Sequence, residues 1–198
     1  MKLSKIKYAD TYLFENSVTK GGDKDKKIDI IFQIFLLEFD NKKVLVDAGC
    51  DTMPHFEMKN FISSAKALEE KGVSPDEITD VIITHSHHDH AQNIKYFKNA
   101  TVYIQKDEYI DAKRFIPDTF KVHIFEDEIT LYDRIKVVKI GLHSIGSCVV
   151  EFENTVILGD ECYSRRYFKI NAEKATSEKE KNFFKKYENY TLLFSHDI

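Results

Sequence analysis

Short apolar and β-branched runs separated by turns recur along the whole chain. Residues 28–38 are rich in Ile, Phe and Leu, as a buried strand requires, and Asp40-Asn41 provide a turn into residues 44–47. The same kind of pattern predicts further strands over residues 6–14, 80–84, 101–105, 121–125, 135–140, 149–152, 155–158 and 191–194.

Helical patterns lie between these strands. They predict helices over residues 56–71, 106–115 and 177–187. A short helix is predicted after Ser74, because Pro75 suits the first helical position and Glu77 completes a capping box with Ser74. Strands that occur early and late with helices between them predict an α/β fold of two sheets with helices outside. The length of 198 residues predicts a single domain over residues 1–198.

Composition and charge exclude several classes of protein. Hydrophobic residues make up 42% of the chain and charged residues 31%, which is enough apolar side chain for a packed core. The net charge of -4 leaves no basic surplus to neutralise phosphates, so we expect no nucleic-acid partner. The sequence has neither an apolar run of membrane-spanning length nor a signal-peptide pattern, which predicts a cytoplasmic protein with no membrane partner. Cys50, Cys148 and Cys162 have no CxxC spacing and suit a reducing compartment.

The densest group of metal-binding residue types follows the strand predicted over residues 80–84. His85, His87, Asp89 and His90 form an H-x-H-x-D-H pattern. Residues two apart on an extended segment point the same way, so His85 and His87 can converge on one metal. Asp89 and His90 follow a turn and can face a second metal nearby. Imidazoles and carboxylates at this density suit zinc, and also iron, manganese or cobalt.

Three more residues of ligand type follow predicted strands, each in a tight turn. His143 lies in a Gly-flanked turn, Asp160 follows Gly159, and His196 follows the last strand. Strand ends of this kind can meet at one edge of a sheet sandwich. The sequence therefore predicts a metal site at that edge.

With these motifs the chain resembles the metallo-β-lactamase superfamily, whose fold is a four-layer αβ/βα sandwich. The likeness runs from Val46-Asp47-Ala48-Gly49 to His196, with all five superfamily motifs in order. It implies two metal ions, of which the first is held by His85, His87 and His143 and the second by Asp89, His90 and His196. Asp160 is implied as the bridge between them, and Asp47 as a residue that orients the ligand loop without binding metal.

The other histidines and the nearby cysteine are expected to bind no metal. His88 would point away from its neighbours on an extended segment, and His55 and His123 have no motif around them. Cys162 is expected to be a buried thiol, because Asp160 already supplies the bridge.

The chemistry that follows is hydrolysis by a hydroxide that the two metals share, since two cations lower the pKa of the parent water to about 7. Asp89 is the candidate to pass a proton to the leaving group. We expect a small ester, lactone or thioester as substrate, two divalent ions with zinc favoured, and no partner other than that small molecule, with a homodimer left open. An iron-dependent redox or sulfur-handling enzyme in the same ligand cage is the alternative.

One short pattern indicates a subgroup within the metallo-β-lactamase superfamily. Asp160-Glu161-Cys162-Tyr163 places a tyrosine three residues after the implied bridge and resembles the quorum-quenching acyl-homoserine lactonases, in which such a hydroxyl approaches the substrate carbonyl. Tyr163 is therefore the second candidate catalytic residue beside Asp89, and packing is the alternative role for its ring. Three other subgroups of the superfamily fit less well. His87 stands where flavodiiron oxidoreductases have a glutamate. The basic arm of the nucleases and the helical domain of glyoxalase II-like thioesterases are not found in this sequence.

Overall fold

Two β-sheets form the centre of the molecule in the computed structural model, which describes residues 1–54 and 57–197. The six strands of the first sheet follow one another in space as they do along the chain: β1 (Lys2–Phe14), β2 (Lys27–Phe39), β3 (Lys42–Val46), β4 (Asp80–Ile83), β5 (Thr101–Gln105) and β6 (Lys121–Phe125). β1, β2 and β3 pair antiparallel, whereas β3 to β6 run parallel.

The second sheet contains the rest of the strands. They are β7 (Glu128–Leu131), β8 (Ile135–Lys139), β9 (Cys148–Phe152), β10 (Thr155–Ile157) and β11 (Thr191–Leu193), in the spatial order β11-β10-β9-β8-β7. β7 to β10 pair antiparallel and β10 pairs with β11 in parallel. Strands β8, β10 and β11 therefore point the same way and end at the same edge of the sheet.

Helices connect the strands. They are α1 (Glu15–Val18), α2 (Ser64–Glu69), α3 (His88–Ala91), α4 (Lys106–Ala112), α5 (Arg165–Lys174) and α6 (Glu178–Tyr187), with 3-10 turns at Pro75–Glu77, Gln92–Tyr96 and Lys113–Phe115. None of the described helices is long and apolar enough to cross a membrane.

Side chains that alternate between the two faces of each strand divide the core into three apolar layers. On β2, Phe35 and Leu37 pack against the second sheet, whereas Ile34 and Leu36 face α2 on the outer side of the first. On β9, Val150 joins the layer between the sheets, whereas Val149 packs with residues of α5 and α6. The order is therefore helix, sheet, sheet, helix, which confirms the predicted four-layer αβ/βα sandwich.

Most predicted elements are present with ends shifted by a few residues, but the helix predicted over residues 56–71 is much shorter. It begins after Ser63, whose side chain accepts from the backbone of Lys66. The preceding segment is extended instead, because Lys59 exchanges backbone hydrogen bonds with Asp10 of β1 and Ile62 donates to Tyr8. His55 and Phe56 lie outside the described residues.

Several elements were not predicted from the sequence: strand β7, helices α1, α3 and α5, and the 3-10 turn at Gln92–Tyr96. Strand β7 is four residues long with mixed polarity, and helix α5 carries its buried Tyr167 and Phe168 among charged side chains. Ser164 caps α5, because its side chain accepts from the backbone N–H of Tyr167. In the sequence, this N-cap serine marks the start of the helix.

Candidate metal centre

Asp47 joins two strand ends at the edge where the site lies. It follows β3 with a φ of 62°, a left-handed conformation that few non-glycine residues adopt. One carboxylate oxygen accepts from the backbone N–H of Thr84 at 2.8 Å, and the other lies 2.8 Å from Nδ1 of His90. This carboxylate therefore fixes the start of the histidine-rich segment and turns Nε2 of His90 towards the centre, as the sequence resemblance implied.

Three imidazoles form the first candidate ligand cluster: His85, His87 and His143. Nδ1 of His87 lies 3.1 Å from Nε2 of His85 and 3.1 Å from Nε2 of His143. The pair on the H-x-H segment thus converges on the histidine that the second sheet supplies after β8. Nitrogen ligands at this spacing match the donor set of a zinc-type cation.

The second candidate cluster contains Asp89, His90, Asp160 and His196. Helix α3 carries Asp89 and His90, while the other two follow β10 and β11. Nε2 of His90 lies 3.4 Å from both Asp89 and Asp160, and Nε2 of His196 lies 3.4 Å and 3.2 Å from the same two carboxylates. All four residues are almost fully buried.

Asp160 lies between the two clusters. Its Oδ1 faces His90 and His196 at 3.4 Å and 3.2 Å, whereas its Oδ2 faces His85 and His143 at 3.8 Å each. The two oxygens of one carboxylate thus point to different donor sets. This is the arrangement that a carboxylate bridging two cations needs.

Unsatisfied atoms test whether a cation fits. Nε2 of His90 and Oδ1 of Asp160 are both fully buried and have no hydrogen-bond partner in the described residues. Buried polar groups are otherwise nearly always paired, so a donor and acceptor set left unpaired at one point fits metal ligation. The residues present therefore suit divalent cations.

The electrostatics of the second cluster favour positive charge. Burial alone would lower the pKa of His196, but the carboxylates of Asp160 and Asp89 raise it to about 10. Burial likewise opposes the charged form of His90, and the same carboxylates raise its pKa well above the usual value. In the first cluster burial lowers the pKa of His85 well below the usual value, so its nitrogens stay neutral. A neutral imidazole in the first cluster and the carboxylates of the second are both suited to bind a cation.

His196 reaches the site through backbone pairing to β2. Its Nδ1 lies 2.9 Å from the carbonyl oxygen of Ile31, which can only accept, so Nδ1 carries the proton and Nε2 faces Asp89 and Asp160. Gln33 strengthens this attachment, since its side chain donates to the carbonyl of Phe194 at 2.6 Å. The end of the described chain is thereby fixed to the first sheet.

An apolar cavity of about 130 Å³ opens beside the two clusters. Its walls are Leu13, Ile30, Phe32, Met53 and Tyr163, together with His87, Asp89, His143, Asp160 and His196. The Tyr163 ring stacks on His196 with centroids 5.4 Å apart and 23° between the planes. Burial, followed by the charges of Asp160 and Asp89, raises the pKa of the Tyr163 hydroxyl well above the usual value, so it remains a proton donor.

Of the residues expected to bind no metal, His88, His123 and Cys162 belong to neither candidate ligand cluster, and His55 lies outside the described residues. His88 packs on the Phe115 ring at 5.1 Å, and the exposed His123 stacks on Tyr103. Cys162 is buried in the layer under α5 and α6, where burial raises the pKa of its thiol to about 12. Glu108 and Glu161, which hold the loop around His143, were missed in the sequence because neither belongs to a ligand motif.

Comparisons with known proteins agree with this geometry. The family model of the metallo-beta-lactamase superfamily matches residues 33–158. The chain therefore belongs to the metallo-beta-lactamase superfamily, a class that implies divalent metal ions.

Two curated relatives share part of the chain. A probable metallo-hydrolase of Methanocaldococcus jannaschii is 36% identical over 104 residues, which is 52% of this chain and 46% of that protein. The N-acyl homoserine lactonase AiiB of Agrobacterium fabrum is 26% identical over 134 residues, which is 58% of this chain and 49% of the lactonase. The matched stretches thus span about half the length of these relatives.

Solved structures match over the whole fold. An N-acyl homoserine lactone hydrolase with the product N-hexanoyl-L-homoserine at its catalytic metal centre superposes with a TM-score of 0.81 and 22% identity, covering 100% of this chain and 93% of the other. A metallo-beta-lactamase-like protein of Thermotoga maritima gives a TM-score of 0.72 and 25% identity, covering 99% and 96% of the two chains. These similarities show the fold.

Proposed function

We propose that this chain is a single-domain, binuclear metal-dependent hydrolase of small esters or lactones with a short apolar acyl group. The observation that carries the proposal is the position of Asp160, whose two oxygens face two separate donor sets. His85, His87 and His143 would hold one cation, Asp89, His90 and His196 the other, and Asp160 both. Zinc is the favoured ion because imidazole and carboxylate ligands suit it.

The cations, when bound, supply a hydroxide nucleophile near neutral pH and polarise the oxygen of the substrate carbonyl. The protein residues supply the rest. The apolar walls of the cavity, including Ile30, Phe32 and Met53, bind the acyl group and exclude water. The Tyr163 hydroxyl donates to the carbonyl oxygen, and this bond strengthens as negative charge develops there. Asp89, at the boundary between cavity and clusters, takes up the proton that the attacking hydroxyl loses after it bonds to the carbonyl carbon, and passes it to the departing alkoxide oxygen.

The lactonase relatives support a carbonyl substrate. Their names report N-acyl homoserine lactone hydrolysis, and Tyr163 lines the cavity of this chain beside its candidate metal ligands. The cavity supports an acyl group because its walls away from the ligands are apolar, and its volume of about 130 Å³ supports a short one. Each buried methylene contributes about 0.8 kcal/mol, or about a fourfold increase in kcat/KM, until the cavity is filled.

A substrate panel tests the proposal. Esters, lactones, thioesters and phosphodiesters of graded acyl length are assayed with zinc, manganese and iron, and the metal content is measured in protein purified without added metal. We expect a short-chain lactone or ester to have the highest kcat/KM. Phosphodiesters cleaved faster than every carbonyl substrate would contradict the proposal, and iron with redox activity would favour the alternative of a redox enzyme.

Enlarging the cavity sharpens the same test. Met53→Ala should shift the preference towards longer acyl groups, because Met53 forms part of the cavity wall. Met58→Ala is the matched control, since Met58 is also half-buried but packs on Cys50 and the outer core. Equal chain-length profiles in the two variants would show that the acyl group binds elsewhere.

A further inference from the structure

Glu108 is a buried carboxylate that the mechanism above does not use. It lies in the first turn of α4, where the Gln105 side chain caps the helix, and only 3% of its surface is exposed. Among the described residues it forms no ion pair. Burying a carboxylate in this way destabilises the fold unless hydrogen bonds satisfy its oxygens, so its hydrogen-bond partners indicate its role.

Those partners belong to the two segments that carry the three-histidine cluster. Oε2 of Glu108 accepts from the backbone N–H of Ser86 at 2.8 Å, and Ser86 stands between His85 and His87. Oε1 accepts from the Ser144 hydroxyl at 2.6 Å and from the Gly146 N–H at 2.9 Å, just after His143. One carboxylate therefore connects a segment of the first sheet with a loop of the second.

The loop around His143 fits closely against Glu108. A Cβ at Gly146 would lie 2.9 Å from Cγ of Glu108 and would overlap Oε1 of Gln105, so a larger residue would displace these side chains. On the other side, Glu161 accepts from the backbone N–H groups of Leu142 and His143 at 3.0 Å each. The loop is thus held from both sides by buried carboxylates.

We propose that Glu108 is a positioning residue of the metal centre. Its carboxylate holds the loop of His143 against the segment of His85 and His87, so that the three imidazoles converge before a cation binds. This inference rests on the metal site proposed above. Groups that orient metal ligands typically change metal affinity by about 10- to 100-fold when they are replaced.

The two accepting oxygens of the side chain matter as well as its shape. Both oxygens of a carboxylate accept, whereas an amide has one accepting oxygen and one donating NH₂ group. In Glu108→Gln either orientation of the amide places NH₂ against a backbone N–H, that of Ser86 or that of Gly146. The variant therefore keeps the volume of the side chain and loses one of the two connections.

The test compares Glu108→Gln with Asp80→Asn. Asp80 is also buried and accepts from Thr79 and Tyr132, but it lies at the other end of β4 from the ligands. Zinc affinity is measured by competition with a chromophoric chelator, the cadmium-loaded proteins are examined by ¹¹³Cd NMR, and thermal midpoints are recorded. We expect Glu108→Gln to bind one of the two cations about 10- to 100-fold more weakly, with a shifted or broadened resonance for the nitrogen-rich site. Asp80→Asn should lower the thermal midpoint and leave both affinities and both resonances unchanged.

Wild-type affinities and resonances in folded Glu108→Gln would overturn the inference and leave the proposed function standing. A wild-type chain that binds no cation would overturn both. If Glu108→Gln does not fold, Ser144→Ala decides, because it removes one hydrogen bond to Glu108 and keeps that of Gly146. It should weaken binding of the same cation by a smaller factor, and unchanged affinity in this variant would also overturn the inference.

Discussion

Removing a single hydroxyl from Tyr163 tests the proposed carbonyl chemistry. In Tyr163→Phe the ring keeps its stacking on His196 at 5.4 Å, so the cavity wall and the metal content should be unchanged. The lost group is the only hydroxyl among the described residues that line the cavity. Because burial keeps its pKa far above neutrality, the group donates over the whole working range of pH.

The magnitude follows from the role of such a donor. Loss of one donor to a developing oxyanion typically reduces kcat by about 10²- to 10³-fold, and a cation that polarises the same oxygen would make the donor less critical. We therefore expect kcat to fall by about 10- to 1000-fold, which corresponds to about 1.4 to 4 kcal/mol of transition-state stabilisation. KM should change little, because the bond strengthens mainly in the transition state.

The assay is steady-state kinetics on the best lactone or ester, with metal content and thermal midpoint measured in parallel. Tyr167→Phe is the matched control: its hydroxyl donates to Glu15 at 3.0 Å, on α5 and away from the metal clusters. The control should lose a little stability and no activity. An unchanged kcat in Tyr163→Phe would refute the donor role and assign Tyr163 to packing.

Three other outcomes are expected. Asp89→Asn should lower kcat by about 10²- to 10⁴-fold in a chain whose circular dichroism is unchanged, because an amide is a poor ligand and cannot take up a proton; near-normal turnover would remove Asp89 from the mechanism. His196→Ala should bind one cation instead of two, as measured by elemental analysis, and two retained cations would mean that another residue completes the site. The carboxylates of Asp160 and Asp89 raise the pKa of His196 to about 10, so His196 is protonated at pH 7 without metal, and a bound cation would have to displace its Nε2 proton. Loading with zinc should therefore release protons, measured by calorimetry in buffers of different ionisation enthalpy, and no release would contradict the electrostatics of the second cluster.

The strands and the ligand motifs could be predicted from the sequence because each depends on residues that are close together in the chain. The β2 pattern and the H-x-H-x-D-H run each lie within a few consecutive residues, and the other ligands follow strands that end at one edge. Strand β7 was missed because its two apolar residues, Ile129 and Leu131, are separated by a polar one and make no apolar run, unlike those of β4 and β10. The segment before α2 is extended because it pairs with β1, a contact distant in sequence. Tertiary pairing overrides local helical spacing there.

The surroundings of the clusters were not predictable for a related reason. Ile30 and Phe32 look like ordinary core residues of a strand, and only the folded structure shows that they line the cavity. Glu108 resembles a surface residue in the first turn of a helix, whereas its partners Ser86, Ser144 and Gly146 lie 22 to 38 positions away. Hydrogen bonds between such distant residues leave no spacing signal in the sequence.

The central claim is that two cations, bridged by Asp160, are required for hydrolysis, and a titration measures this most directly. Metal-free protein is loaded with increasing zinc while bound metal and the rate on a short-chain lactone or ester are recorded together. We expect negligible activity without metal and a rate that reaches its plateau at two equivalents per chain. Full activity without metal, or a plateau at one equivalent with no second cation bound, would contradict it.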